Sequence, residues 1–288
     1  MEDKPLNIQF TKMNGLGNDF IILDGIHNEL PEDLSDFARK VCNRHFGIGA
    51  DGVLLVLPSD IFDIRMRIIN SDGTYAQMCG NGIRCFAAYV YQMGFVSSPE
   101  MKVETDAGMI RPKLVFNGDV VEKVEVDMGV PRVEASDIPV NCAETKMIGY
   151  PYMTEQGEIE LTCVSMGNPH AVTFWKKLED APFDNLGPKL ECDGLFPEKT
   201  NVEFVEILSD SEIRVRVFER GCGETMACGT GACASTVAAV LNGYTGRDLT
   251  VHLSGGDLFI NWNEENNHVI MTGPVAFVAG GVYNYIED

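Results

Sequence analysis

The feature that most constrains this chain is an internal repeat. The stretch MRIINSDGTYAQMCGNGIRC (66–85) aligns with VRVFERGCGETMACGTGAC (215–233). One offset of 149 residues places Cys79 on Cys228, Arg65 on Arg214, Arg67 on Arg216, Gly80 on Gly229, Gly82 on Gly231 and Gly94 on Gly243. After a one-residue slip, Val103 and Gly108 match Val251 and Gly256. Solenoid repeats are shorter, about 20–50 residues, so a unit of half the chain means duplication into two similar lobes. Segments 61–69, 120–128 and 213–218 alternate apolar with polar residues and predict half-buried strands. Segments 83–93 and 232–241 predict buried helices, closed by Gly94 and Gly243. Residues 267–278 predict a late strand pair. No linker rich in Gly, Pro or Ser interrupts the chain. Each unit therefore reads as a strand, a tight Cys-Gly-X-Gly loop, a buried helix and a further strand, and ligands commonly sit between such lobes.

The repeated loop carries chemistry. Glycines ahead of a helix let the backbone approach a ligand closely. The first helical amides have no intrahelical partner, and the macrodipole adds partial positive charge, so a carboxylate can dock there. The same field lowers a nearby cysteine pKa from about 8.5 and favours the thiolate. Two such loops would hold one carboxylate between two helix starts, with a thiol on each side of the adjacent carbon. That set suits removal of an α-proton from one face and return of a proton to the other, one thiolate acting as base and the other thiol as acid. The developing charge would be stabilised by the helix amides. No lysine motif of the pyridoxal kind is evident, and no cofactor is expected. The competing reading, that Cys79 and Cys228 are core residues kept from a common ancestor, is weakened by their glycine-flanked loops, which are poor packing sites.

The remaining cysteines bear on compartment and metal. Nine is an odd number, and the chain has no CxxC pair. The charged N-terminus MEDKPLNIQF lacks a signal-peptide core, and no apolar run approaches the ~20 residues of a membrane span. These features predict a cytoplasmic protein with free thiols. Cys79 with Cys85 and Cys228 with Cys233 miss zinc-ligand spacing, so no metal is expected. Cys85 and Cys233 read as helix core. Cys42, Cys142, Cys163 and Cys192 carry no local motif. Cys222, six residues before Cys228, is either a bystander or a redox-sensitive neighbour. With 22 Lys and Arg against 43 Asp and Glu, the net charge is −21. That excess argues against nucleic-acid and anionic-membrane partners.

On these residues the chain resembles the diaminopimelate epimerase family, essentially end to end. The motifs are KMNGLGNDF (12–20), NRHFGIGADG (43–52), QMCGNGIRCFA (77–87), VSMGNPHAV (164–172), ERGCGETMACGTGA (219–232) and GGDLFI (255–260). The resemblance implies an α/β (α+β) fold of two pseudosymmetric lobes, each a mostly antiparallel sheet wrapped around a central helix. The lobes are expected at 1–124, with a tail at 276–288 returning to it, and at 125–275. It implies a cofactor-independent interconversion of LL- and meso-diaminopimelate in lysine and peptidoglycan-precursor synthesis, by a homodimer. Cys79 and Cys228 would be the acid/base pair. Gly80, Asn81, Gly229 and Thr230 would supply helix-start amides to the reacting carboxylate. Asn18, Asn70, Asn168, Asn201, Glu219 and Arg220 would hold the distal amino-acid group, with Arg220 gripping a carboxylate and Glu219 an ammonium.

Plainer roles stand beside these. Asn18 and Asn168 follow glycines and equally suit turns. Asn201 would otherwise be an ordinary loop residue, and Glu219 with Arg220 a solvated pair. His170 in GNPH is a candidate base, but a lone His is more often structural, and His45 reads as structural or as a neighbour of the site. Two departures from the family pattern stand out. Gly52 occupies a position where some members have Gln, and Cys222 one where a small residue is usual. Two other functions share the pattern: a proline-type racemase with a closed distal pocket, and a non-catalytic binding or redox-sensing protein. Thiols straddling one carbon also predict inactivation by oxidation and recovery in dithiothreitol.

Overall fold

A computed structural model describes residues 6–155 and 157–286. Residues 1–5, 156, 287 and 288, which the expected lobes include, lie outside the described residues. In chain order the elements begin with β1 (Leu6–Gly15), β2 (Asn18–Asp24), α1 (Leu34–Val41), β3 (Gly52–Leu57), β4 (Ile64–Asn70), β5 (Tyr75–Ala76) and α2 (Gly80–Gln92). They continue with β6 (Val103–Thr105), β7 (Gly108–Ile110), β8 (Pro112–Asn117), β9 (Val120–Asp127), β10 (Tyr150–Thr154), β11 (Gly157–Ser165) and β12 (Pro169–Trp175). The last are α3 (Phe183–Glu191), β13 (Asn201–Ile207), β14 (Glu212–Glu219), β15 (Gly223–Glu224), α4 (Gly229–Leu241), β16 (Asp248–Leu253), β17 (Gly256–Trp262), β18 (Val269–Pro274) and β19 (Ala276–Tyr285). No helix among the described residues is long and apolar enough to cross a membrane.

The chain forms two compact units, one of residues up to Val126 with those from Gly273 onward, the other of Asp127–Thr272. The first carries a sheet in the order β19-β1-β2-β3-β4-β6-β7, with β5 added to β4, and the β8–β9 hairpin. The second runs β10-β11-β12-β13-β14-β16-β17-β18, with β15 on β14. Both are sheet-rich with few helices, mixed α/β in class.

The duplication reaches further than the aligned sequence. In the first unit β2 and β3 are parallel, with Phe20 opposite Gly52, and α1 lies between them in the chain. In the second β12 and β13 are parallel, with His170 opposite Asn201, and α3 lies between. Each pair continues into an antiparallel strand, a buried helix and a strand parallel to the last. Ile64 pairs with Val103 in the first unit, and Ile213 with Val251 in the second. The parallel strands are buried on both faces, which explains their unbroken apolar runs FIIL and VLLV. One face packs on the short helix: Ile21, Leu23, Val53 and Leu55 join Phe37 and Val41 of α1. Ala171, Val202 and Phe204 join Leu186 and Leu190 of α3 in the same way. By the two-residue period, Phe20 and Leu54, and likewise His170 and Glu203, point to the opposite face.

The two central helices match residue for residue. In α2 every residue from Gly80 to Val90 is buried, and in α4 Gly231 to Ala239 are. Such helices have no polar face because strands cover them on all sides. Their ends are also alike. Gly94 and Gly243 have φ of +79° and +72°. The amides of Phe95 and Tyr244 donate back to the carbonyls of Val90 and Ala239, and those of Gly94 and Gly243 to Tyr91 and Val240. Both helices thus end in a Schellman turn that glycine accommodates without strain.

One expectation needs correction. The strands at 267–278 do not pair with each other: β18 pairs with β17, whereas β19 pairs with β1. Alternation identifies a strand, but it does not identify the edge on which the strand docks.

Candidate active site

Cys79 is the N-cap of α2 and Cys228 the N-cap of α4. Each has extended backbone, and each sulfur accepts the amide of the third helical residue, Gly82 or Gly231, at 3.4 Å. Ser or Asp usually does this work, so a sulfur at both caps spends the capping position on a thiol. Gly80 and Asn81, and likewise Gly229 and Thr230, supply the amides that precede the first intrahelical bonds.

Around Cys79 the structure gathers Asn18 and Asn81. The Cys79 thiol donates to Asn18 Oδ1 at 3.6 Å, and Asn81 Nδ2 donates to the same oxygen at 3.2 Å. Asn18 Nδ2 donates to Asp51 Oδ2 at 2.7 Å. Asp51 in turn takes Arg44, which also grips Asp19, and Lys12 reaches Asp19 at 2.8 Å. Burial raises the Asp19 carboxyl, but Arg44 and Lys12 outweigh it and hold the group below the usual carboxylate range. Sequence reasoning did not single out Asp51, Arg44 or Lys12. Their signal was the charge inside two glycine-rich motifs. Asn70 Nδ2 donates to Thr74 Oγ1 within its own turn. Opposite Asn70 lies Gly52, where an added Cβ would meet the Ile69 carbonyl oxygen at 2.8 Å.

Around Cys228 lie Thr230, whose Oγ1 is 3.5 Å from the sulfur, and Asn168, whose Nδ2 donates to Thr230 Oγ1 at 3.4 Å. Asn168 Oδ1 is 3.0 Å from His170 Nε2, and His170 Nδ1 is 2.6 Å from Glu203 Oε1. Burial pushes the Cys228 thiol well above its ordinary value, and the carboxylates of Glu219 and Glu203 push the same way. The helix field was expected to favour thiolate, and here desolvation and these carboxyl groups outweigh it. Thr225 donates to Glu219. Asn201 is buried and bonded to main chain on both sides: Nδ2 donates to the Pro169 carbonyl at 2.9 Å, and Oδ1 accepts the Arg220 amide at 3.0 Å. The exposed Arg220 guanidinium donates to the Glu198 carbonyl at 3.1 Å.

All nine cysteines are free thiols. Cys85 and Cys42 are buried, and burial pushes each up to about 12. They behave as small apolar groups. Cys222 is exposed in the turn that follows Glu219.

A duplicated sheet-and-helix unit with a cysteine capping each central helix defines the class by fold, a mixed α/β protein of two similar lobes. Solved structures bear out this fold. A PhzF-family phenazine biosynthesis protein of Bacillus anthracis superposes with TM-score 0.70 at 16% identity, over 97% of this chain and all of that one. A hydroxyproline epimerase of Agrobacterium vitis superposes with TM-score 0.66 at 16% identity, over 98% of this chain and 93% of its own. The family profile for diaminopimelate epimerase matches residues 10–134 and 162–278. The diaminopimelate epimerase of Pelotomaculum thermopropionicum is 52% identical over 279 residues, covering 96% of this chain and 99% of that protein. The chain belongs to the diaminopimelate epimerase family and is an isomerase.

Proposed function

We propose that the chain interconverts LL- and meso-2,6-diaminopimelate without a cofactor, Cys79 and Cys228 alternating as thiolate base and thiol acid. The observation that carries the mechanism is the pair of sulfur caps. The same atom, in the same bond, starts both buried helices, beside amides suited to a carboxylate. The relatives' names support the substrate. Gly80, Asn81, Gly229 and Thr230 serve the reacting carboxylate in this reading. Asn18, Asn70, Asn168, Asn201, Glu219 and Arg220 serve the distal group. Burial pushes the Cys228 thiol upward, which suits it to the acid role in one direction of the reaction. The setting is lysine and peptidoglycan-precursor synthesis in the cytoplasm. The working form is a homodimer, a reading supported by the exposed, long edge strand β19.

Single Cys79→Ser and Cys228→Ser variants test the mechanism. Serine is the better helix cap, so thermal stability holds or rises. Its hydroxyl is a far weaker acid than a thiol, so turnover falls by about 100-fold or more, the scale of a lost acid/base group. The assay is α-deuterium uptake and stereochemical interconversion in heavy water with reductant. Near-normal turnover in both folded variants overturns the two-thiol mechanism. Preferential turnover of proline by the wild-type chain overturns the substrate.

A further inference from the structure

The two units differ beneath their helix starts. The offset of 150 residues that places Phe20 on His170 also places Asn18 on Asn168, and the offset of 149 places Leu54 on Glu203 and Asn81 on Thr230. Phe20 and Leu54 form an apolar floor under Gly82: an added Cβ there would lie 3.5 Å and 3.4 Å from them. The floor under Gly231 is ionisable, with Glu203 Oε1 2.9 Å from the corresponding Cβ. His170 and Glu203 are both 0% exposed. A buried ionisable pair where the duplicate has an apolar one is a cost in stability, so a compensating role is expected.

We propose that Glu203, acting through His170, is a positioning residue that fixes the Asn168 amide with its NH2 toward the start of α4, the reverse of the orientation Asp51 gives Asn18 at α2.

Proton accounting supports it. A fully buried pair bearing net charge is strongly penalised, so the pair keeps one proton in excess of neutral imidazole with carboxylate. Burial pushes the Glu203 carboxyl upward, in keeping with a retained proton. Glu203 Oε2 has no hydrogen-bond partner among the described residues, so a proton there would be unsatisfied. The proton therefore lies in the 2.6 Å contact between Oε1 and Nδ1. Whichever of the two atoms holds it, Nε2 carries a hydrogen and donates to Asn168 Oδ1 at 3.0 Å. The Asn168 NH2 is left to face Thr230. At α2 the anchor is the opposite kind. The Asp51 carboxylate only accepts, takes the Asn18 NH2 and turns the Asn18 oxygen to Cys79 and Asn81. One helix start thus presents an amide acceptor and the other an amide donor. This matches a substrate whose every amino-acid end carries an ammonium and a carboxylate, and to that extent rests on the diaminopimelate reading.

Two measurements test the proposal. In ¹⁵N NMR of the substrate-free chain, His170 Nε2 is expected to be protonated throughout about pH 6 to 9. A pyridine-type Nε2 in that range overturns the proposal. The double variant His170→Phe with Glu203→Leu copies the floor of the other unit and is expected to fold, with Tm at or above wild type. Its KM for diaminopimelate should rise about 10-fold or more, the loss of one well-placed bond to a charged group, with kcat changing less. Wild-type KM in the folded variant overturns the proposal, and should the variant not fold, the NMR result decides alone. If the wild-type chain does not turn over diaminopimelate, the substrate reading fails while the NMR experiment still judges Glu203.

Discussion

At the scale of single residues, the duplication makes its own controls. Gly82 and Gly231 occupy the same position, the third of a buried helix. Alanine is the better helix former by about 1 kcal/mol, so each Gly→Ala change starts with that gain. At Gly82 the new methyl meets carbons at 3.4 Å or beyond, which is ordinary contact. At Gly231 it meets Glu203 Oε1 at 2.9 Å and Cys228 Sγ at 3.3 Å. The carboxylate is held by His170 and cannot step aside without breaking a 2.6 Å bond. Gly82→Ala is therefore expected to be neutral or slightly stabilising, and Gly231→Ala to destabilise by about 1–3 kcal/mol. Urea unfolding of the two variants measures the difference, and equal effects would contradict a rigid Glu203. The same asymmetry shows what could be read in advance. Cys79 and Cys228 were legible because glycine, cysteine and spacing all repeat. Glu203 was not, because its counterpart is Leu54 and a lone Glu in the run NVEFV looks like the solvent face of a strand.

At the scale of elements, charge ties the starts of strands together. Asp19 at the head of β2 takes Arg44 from the loop before β3 and Lys12 from β1. Its folded pKa lies below the unfolded value of about 3.8. A depressed carboxyl adds stability above the unfolded pKa, and that part is lost as pH falls through the folded value. Wild type should thus exceed Asp19→Asn by a constant margin well above pH 3.8, a margin that shrinks as pH falls below that value and through the folded pKa. Denaturant unfolding at several pH values checks this, and a margin independent of pH would assign Asp19 a packing role instead. The pairing of elements was less legible than their existence. The buried helices at 80–92 and 229–241 follow from apolar runs between Cys-Gly caps and Gly stops. Apart from Gly17-Asn18 against Gly167-Asn168, the β-α-β segments ahead of them left no trace in the alignment. They share register and burial, whereas the chemistry at equivalent positions differs, Phe20 against His170 and Gly52 against Asn201.

At the scale of the whole molecule, duplication explains how a long chain without a linker divides into two units, one of which is assembled from two separate stretches of the chain. Asp127–Thr272 is continuous in sequence and carries a core around α3. The other unit borrows β19 from the far end of the chain. Tyr285 on that strand is 1% exposed, packs edge-on against Phe37 at 5.1 Å and donates to Asp36 at 2.9 Å. It therefore fills the floor of the core that α1 covers, and loss of a buried aromatic side chain costs about 3–5 kcal/mol. Tyr285→Ala should accordingly lower stability by that amount, whereas Tyr285→Phe, which keeps the ring and loses one bond, should cost about 1 kcal/mol. A sharper form cuts the chain. Residues 1–126 expressed alone are expected not to unfold cooperatively, because β1 is left with an open edge and the core around Phe37 with a cavity. Adding a peptide of residues 273–288 should restore cooperative unfolding to 1–126, read by circular dichroism and amide exchange. Folding of 1–126 without the peptide would mean that β19 docks on a finished lobe rather than completing one.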